Sequence, residues 1–175
     1  MARIIKRRLL TLLVVAMPLL GAWVALAQGP TSLRGAVEAE HPGTRWVTTG
    51  QLGRWLASDR PIVLLDARAP AEFAVSHLDG ARRIDPEHPS AREIRALDRG
   101  ARVVVYCSVG FRSAIIESWL HEQGFDDVYN LAGGLFEWAN EGRPMIDGEG
   151  QSTDLVHPYD ATWGRFLEES HRLPR

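Results

Sequence analysis

The sequence predicts an α/β fold: a small parallel sheet with helices on both faces. Three observations point there. Ile62-Val63-Leu64-Leu65 and Val103-Val104-Val105-Tyr106 are short continuous apolar runs, the pattern of strands buried on both sides. Segments with helical spacing alternate with them, and that alternation implies parallel pairing. Asp66, Arg68 and Cys107 all fall at predicted carboxyl ends of strands, where open α/β sheets bind ligands.

The elements follow in order. Residues 28–45 are polar, contain Gly29-Pro30 and His41-Pro42-Gly43, and read as a linker with little regular structure. Thr48 or Thr49 caps a short helix with Leu52, Trp55 and Leu56 on one face. Pro61 stops it, and the strand Ile62–Leu65 ends in Asp66-Ala67-Arg68. Pro70-Ala71-Glu72-Phe73 reads as a first helical turn with Pro near N1. Gly80–Ile84 is a weak strand. Ser90 caps a helix carrying Ile94 and Leu97, ended by Gly100. The strand Val103–Tyr106 leads into a helix over 112–123, with Gly124 after it. Val128–Leu131 is a further strand. Gly133-Gly134 turns the chain into a helix with Leu135 and Trp138, closed by Gly142-Arg143-Pro144. Residues 147–153 are polar and Gly-rich and read as a linker. Trp163, Phe166 and Leu167 have the spacing of a short terminal helix docked on the core. The organisation is therefore an N-terminal segment 1–27, a linker 28–45, one domain 46–146 and a C-terminal extension 147–175.

At 175 residues, 45% hydrophobic and 24% charged, the chain has the composition of a globular domain with one sizeable core. Its net charge of −2 hides an asymmetry. Arg3, Lys6, Arg7 and Arg8 precede residue 9, and no acid occurs before Glu38. The remaining 16 Lys+Arg face 22 Asp+Glu, which argues against a nucleic-acid binder. The basic start, the apolar run Leu9–Leu20 and Ala25-Leu26-Ala27 before Gln28 read as a secretory signal. The alternative is an uncleaved anchor, since Leu9–Ala27 approaches spanning length. Either way the folded part is expected outside the cytoplasm, in the periplasm if the source is bacterial.

Cys107 is the only cysteine, so neither an intramolecular disulfide nor a Cys-rich zinc site can form. The histidines show no metal-ligand spacing, and no cofactor is implied. Cys107 lies between a strand end and a helix start, where backbone N–H groups and the helix dipole favour an anion. With Arg112 nearby, that position favours a thiolate nucleophile; the alternative is an inert buried thiol. Gly110 gives the loop the backbone freedom to converge N–H groups on an anion. Ser108 and Val109 contribute mainly backbone N–H groups, and Arg112 is the loop's one cation. Asp66 and Arg68 form either a structural ion pair beneath the loop or a supporting part of the site. Glu72 and His77 read as structural.

Four segments resemble the rhodanese-like sulfurtransferases, over roughly residues 47–145. Leu64-Leu65-Asp66-Ala67-Arg68 with Glu72-Phe73 is similar to the family's Asp-x-Arg strand end. His77-Leu78-Asp79-Gly80-Ala81 is similar to its Gly-His-Ile-x-Gly-Ala segment, with Ser76 in place of the first glycine. Cys107-Ser108-Val109-Gly110-Phe111-Arg112-Ser113 resembles its Cys-x-x-Gly-x-Arg-Ser loop. Gly133-Gly134, Trp138, Gly142 and Pro144 resemble its closing motif. Each is weak alone; four in this order are strong.

The resemblance implies sulfane-sulfur transfer through a persulfide on Cys107, with Ser108, Val109, Gly110, Phe111 and Arg112 holding a small anionic donor. A thiol, cyanide or a protein cysteine would accept the sulfur. Related dual-specificity phosphatases of the cell-cycle type place five residues between the cysteine and arginine. Here there are four, which favours sulfur over phosphoryl transfer. A non-catalytic binding module is the rival from another class. A monomer is the default, with membrane contact only if residues 1–27 stay attached.

Overall fold

The computed structural model describes residues 29–174; the expected signal segment lies outside them. Five strands form one all-parallel sheet: β1 (Trp46–Val47), β2 (Ile62–Asp66), β3 (Arg82–Arg83), β4 (Arg102–Tyr106) and β5 (Val128–Leu131). Their order is β1-β5-β4-β2-β3. The register sets Leu64 beside Val104 and Asp66 beside Tyr106, so β2 and β4 end together at one edge.

Side chains of β4 alternate between two cores, as a strand period of two requires. Val104 and Tyr106 join Leu64, Leu135, Phe136 and Trp138 on one face. Val103 and Val105 join Leu65, Ile116, Leu120 and Phe125 on the other. The second face is covered by α5 (Phe111–Glu122), and the first by α6 (Gly134–Asn140). Helices on both faces thus match the expectation. The other helices are α1 (Arg34–Glu40), α2 (Thr49–Leu56), α3 (Pro70–Val75) and α4 (Ala91–Ile94).

Local capping follows the sequence. The Thr48 hydroxyl accepts from Gln51 N–H at 3.1 Å to start α2. Ser90 and Glu93 form a reciprocal capping box on α4. Leu56, expected on the apolar face of α2, is 43% exposed, and only Leu52 of the three is fully buried. The helix ends there, so its last residue overhangs the core. The α4 helix also stops at Ile94, short of Leu97.

Two segments expected as linkers are ordered parts of the domain. Within 28–45, a 3₁₀ turn over Pro30–Leu33 runs into α1, with Pro30 and Val37 buried. Its sequence looks polar because a single apolar residue, Val37, anchors the whole helix. Within 147–153, Ile146 pairs with Ser152, and Gly148 N–H donates to Ala74 carbonyl at 2.9 Å. The Asp147 carboxylate accepts from Glu149 and Gln151 N–H, so polar residues here build a turn. Farther on, 3₁₀ turns cover Trp163–Phe166 and Glu169–His171, and Leu167 is buried in the first core.

Candidate active site

Cys107 directly follows β4 and precedes α5, at the strand–helix junction expected from sequence. Gly110 caps α5 with φ 115°, a left-handed conformation that favours glycine. That turn brings Gly110 N–H to 3.1 Å from Cys107 Sγ. The loop's carbonyls are engaged elsewhere. Leu135 N–H donates to Cys107 carbonyl at 2.8 Å, and Phe136 N–H to Ser108 carbonyl at 3.1 Å. These bonds need α6 to start in contact with the loop. A Cβ on Gly134 would stand 2.4 Å from Cys107 carbonyl oxygen, so the Gly133-Gly134 turn is what permits the approach.

Asn130, fully buried on β5, holds the third carbonyl: its Nδ2 donates to Gly110 O at 2.8 Å. The Ser113 hydroxyl donates to Asn130 Oδ1 at 2.8 Å and stands 3.5 Å from Cys107 Sγ. With these carbonyls occupied, the thiol faces the Gly110 N–H rather than carbonyl lone pairs. This surrounding suits a sulfur that carries negative charge.

Cys107, Ser108, Val109, Phe111 and Arg112 line one cavity of about 180 Å³. Five of the six proposed active-loop residues therefore share one space, and the sixth, Gly110, shapes it from behind. The cavity's remaining walls are Tyr159 and Trp163 from the C-terminal extension. Nothing local in the sequence marked those two; Trp163 was legible only as an anchor for the tail.

Arg112 is committed within the protein. Its Nη1 donates to Glu72 Oε2 at 2.6 Å and its Nη2 to Glu72 Oε1 at 2.9 Å, a bidentate pair. Nη2 also reaches Ser108 Oγ at 2.9 Å, and that hydroxyl donates to Glu72 Oε1 at 3.0 Å. The Tyr159 ring lies 4.9 Å from the guanidinium carbon. Burial pulls the Arg112 guanidinium down, but the hydrogen bonds to Glu72 and that carboxylate's charge hold it above its usual value. Burial likewise pushes the Glu72 carboxyl up, and Arg112 outweighs it, leaving Glu72 below the usual range. Glu72 and the Ser108 side chain thus belong to the site's electrostatics, which the sequence reading missed. The signal available was the acid four residues past Arg68, at a helix start.

Asp66 and Arg68 sit beneath this group, both fully buried. Arg68 Nη2 donates to Asp66 Oδ2 at 2.6 Å and to the Ser76 carbonyl, while Nε donates to Asp66 Oδ1 at 3.0 Å. Asp66 does not reach the cavity; of the two readings, the pair has the geometry of the structural one. His77 is structural as read: Nδ1 bonds Phe73 carbonyl at 2.9 Å, and the ring stacks on Phe73.

A parallel sheet, a cysteine cradled between strand and helix and a closing Gly-Gly turn define the class, and sequence comparison agrees. The family model for the Rhodanese-like domain matches residues 48–141. This chain belongs to the rhodanese-like domain family. It is 33% identical over 104 residues to a sulfurtransferase of Allochromatium vinosum, covering 59% of this chain and 96% of that protein. It is 34% identical over 99 residues to the probable adenylyltransferase/sulfurtransferase MoeZ of Mycobacterium tuberculosis, covering 56% of this chain and 25% of that protein. The chain thus spans about a quarter of the MoeZ length. The crystal structure of a thiosulfate sulfurtransferase from Pseudomonas aeruginosa superposes with a TM-score of 0.58 at 27% identity, over 70% of this chain and 23% of that one.

Proposed function

We propose that the protein is a sulfurtransferase that carries sulfane sulfur as a persulfide on Cys107. The observation that supports this most is the Cys107 cradle: Sγ 3.1 Å from Gly110 N–H, at a cavity that Arg112 also lines. The thiolate attacks the outer sulfur of a donor. With thiosulfate, the Sγ–S bond forms, the donor's S–S bond breaks, and sulfite leaves with the electron pair. Cys107 is then a persulfide, whose terminal sulfur passes to a nucleophile such as cyanide, returning the thiolate and releasing thiocyanate. Splitting the transfer this way is covalent catalysis. The Gly110 N–H supports the charge of the thiolate. The relatives named sulfurtransferase favour this reading over a non-catalytic module.

Intact-protein mass spectrometry tests it. Treatment with thiosulfate or polysulfide adds one sulfur atom to the wild type, and cyanide removes it. Cys107→Ser gains none and has no turnover; full activity in that variant overturns the proposal. The same proposal places the mature protein outside the cytoplasm, on the strength of the basic start and Ala25-Leu26-Ala27. A mature chain beginning at Gln28 in the same spectrum is the expected result.

A further inference from the structure

We propose that Tyr159 and Trp163 select the sulfur donor, and that the preferred class is a monoanionic organic sulfane-sulfur compound with an apolar or aromatic body rather than inorganic thiosulfate. This rests on the sulfurtransferase reading and specifies its substrate.

Three observations carry it. The first is charge. A dianion needs an uncommitted cation, yet the edge of Arg112 is taken by both Glu72 carboxylate oxygens and its face by Tyr159. The Arg112–Glu72 pair sums to zero, and so does the buried Arg68–Asp66 pair behind it. The pocket therefore offers a donor the field of a neutralised arginine beside the Cys107 thiol, enough for one negative charge more readily than two.

The second is the wall. Val109, Phe111, Tyr159 and Trp163 line the cavity beside Cys107, Ser108 and Arg112. Trp163 is held against Phe111 at 5.7 Å between ring centroids and against Phe166 at 6.1 Å. The tail bearing it is fastened to α6: Asn140 Nδ2 donates to Phe166 carbonyl at 2.9 Å, and Glu168 N–H donates to Asn140 Oδ1 at 2.8 Å. The cavity of about 180 Å³ is the right size for one ring, since an apolar cavity of about 150 Å³ takes benzene.

The third is Tyr159 itself. Among the described residues it is the only non-glycine with positive φ, at 64°, and it is 50% exposed. Neither backbone preference nor core burial accounts for a tyrosine at that position. Its ring lies over Arg112 and lines the cavity, so the site accounts for it.

Benzenethiosulfonate is the probe: one negative charge, an aromatic body and a sulfane sulfur. Cys107 thiolate bonds the outer sulfur, the donor's S–S bond breaks, and benzenesulfinate leaves with the pair. Persulfide formation on the full chain is timed with this donor and with thiosulfate, each divided by its rate with a free small thiol. The expected normalised ratio favours benzenethiosulfonate. Trp163→Ala and Tyr159→Gly each lower it about tenfold, the scale of one lost apolar pocket contact. Glycine relieves the positive φ, so that variant removes the ring without stressing the backbone. Tyr159→Phe keeps the ring and the ratio. A wild type that favours thiosulfate, or a ratio unmoved in Tyr159→Gly, overturns this inference alone. No persulfide from either donor overturns the sulfurtransferase reading with it.

Discussion

Two arginine–carboxylate pairs stand at the carboxyl edge of the same sheet and meet different fates. Arg68–Asp66 is sealed, with no exposure on either side chain. Arg112–Glu72 pairs a Glu72 side chain 3% exposed with an Arg112 side chain 25% exposed, beside the Cys107 cavity. The sealed pair spends its hydrogen bonds on β2, the Arg68 backbone and the Ser76 carbonyl, fixing the chain beneath the loop. The rim pair ties α3 to the Cys107 loop and sets the charge that a ligand meets. The difference teaches that depth, more than partner chemistry, decides what an ion pair does. A sealed pair can only brace, because releasing either partner strands a buried charge. A rim pair can brace and also tune binding, because water and ligands reach one side of it.

The largest expected effect comes from opening the sealed pair. Asp66→Asn leaves Arg68 charged in a fully buried site and should cost about 3–5 kcal/mol of stability. Urea unfolding of purified protein measures it; a loss below about 1 kcal/mol would break the distinction between the pairs.

Glu72→Gln should cost less, about 1–3 kcal/mol, since Arg112 keeps partial solvent access. It should also act on chemistry where Asp66→Asn does not. Freed of its carboxylate, Arg112 regains a net charge at the cavity, and persulfide formation from thiosulfate should rise relative to benzenethiosulfonate. If the donor ratio stays put, the rim pair is as purely structural as the sealed one.

The subtlest expectation lies in pH. Glu72 is held below its ordinary value of 4.5 because Arg112 outweighs burial. Its contribution to stability is therefore full above the unfolded value and lost as pH falls through the lower folded one. Glu117 is the counterexample: buried on α5, its carboxyl is pushed up by burial, despite the Arg45 N–H bond of 2.7 Å. Its contribution is full below 4.5 and lost as pH rises through the higher folded value. Glu72→Gln should flatten the acid limb of stability below about pH 4.5. Glu117→Gln should instead gain stability relative to wild type as pH rises toward 7. Unfolding midpoints between pH 3 and 7 show whether the two slopes have opposite sign.

Much of this is legible in the sequence alone. The strands β2 and β4 carry runs of apolar residues, the pattern of central strands in a covered sheet. The strand–Cys107–helix junction, the need for Gly110 and the Thr48 and Ser90 caps are all settled within a few residues of chain. So is the Gly133-Gly134 turn. Where the sequence misled, the cause was sparse local pattern. One buried residue, Val37, holds α1 in a stretch that looked like a linker, and the turn over 147–153 is built from polar side chains.

What the sequence determined by itself was thus the sheet, the place of Cys107 between strand and helix and the class of loop around it, because those depend on short-range periodicity and backbone freedom. Only the tertiary structure decided what Arg112 binds and what covers Cys107. Glu72 lies 40 residues before Arg112, and Asn130 lies 20 after Gly110. Tyr159 and Trp163 come from beyond the last strand. Parallel strands deliver their carboxyl ends to one edge, and the chain between them sets no local signal for which side chains will meet there.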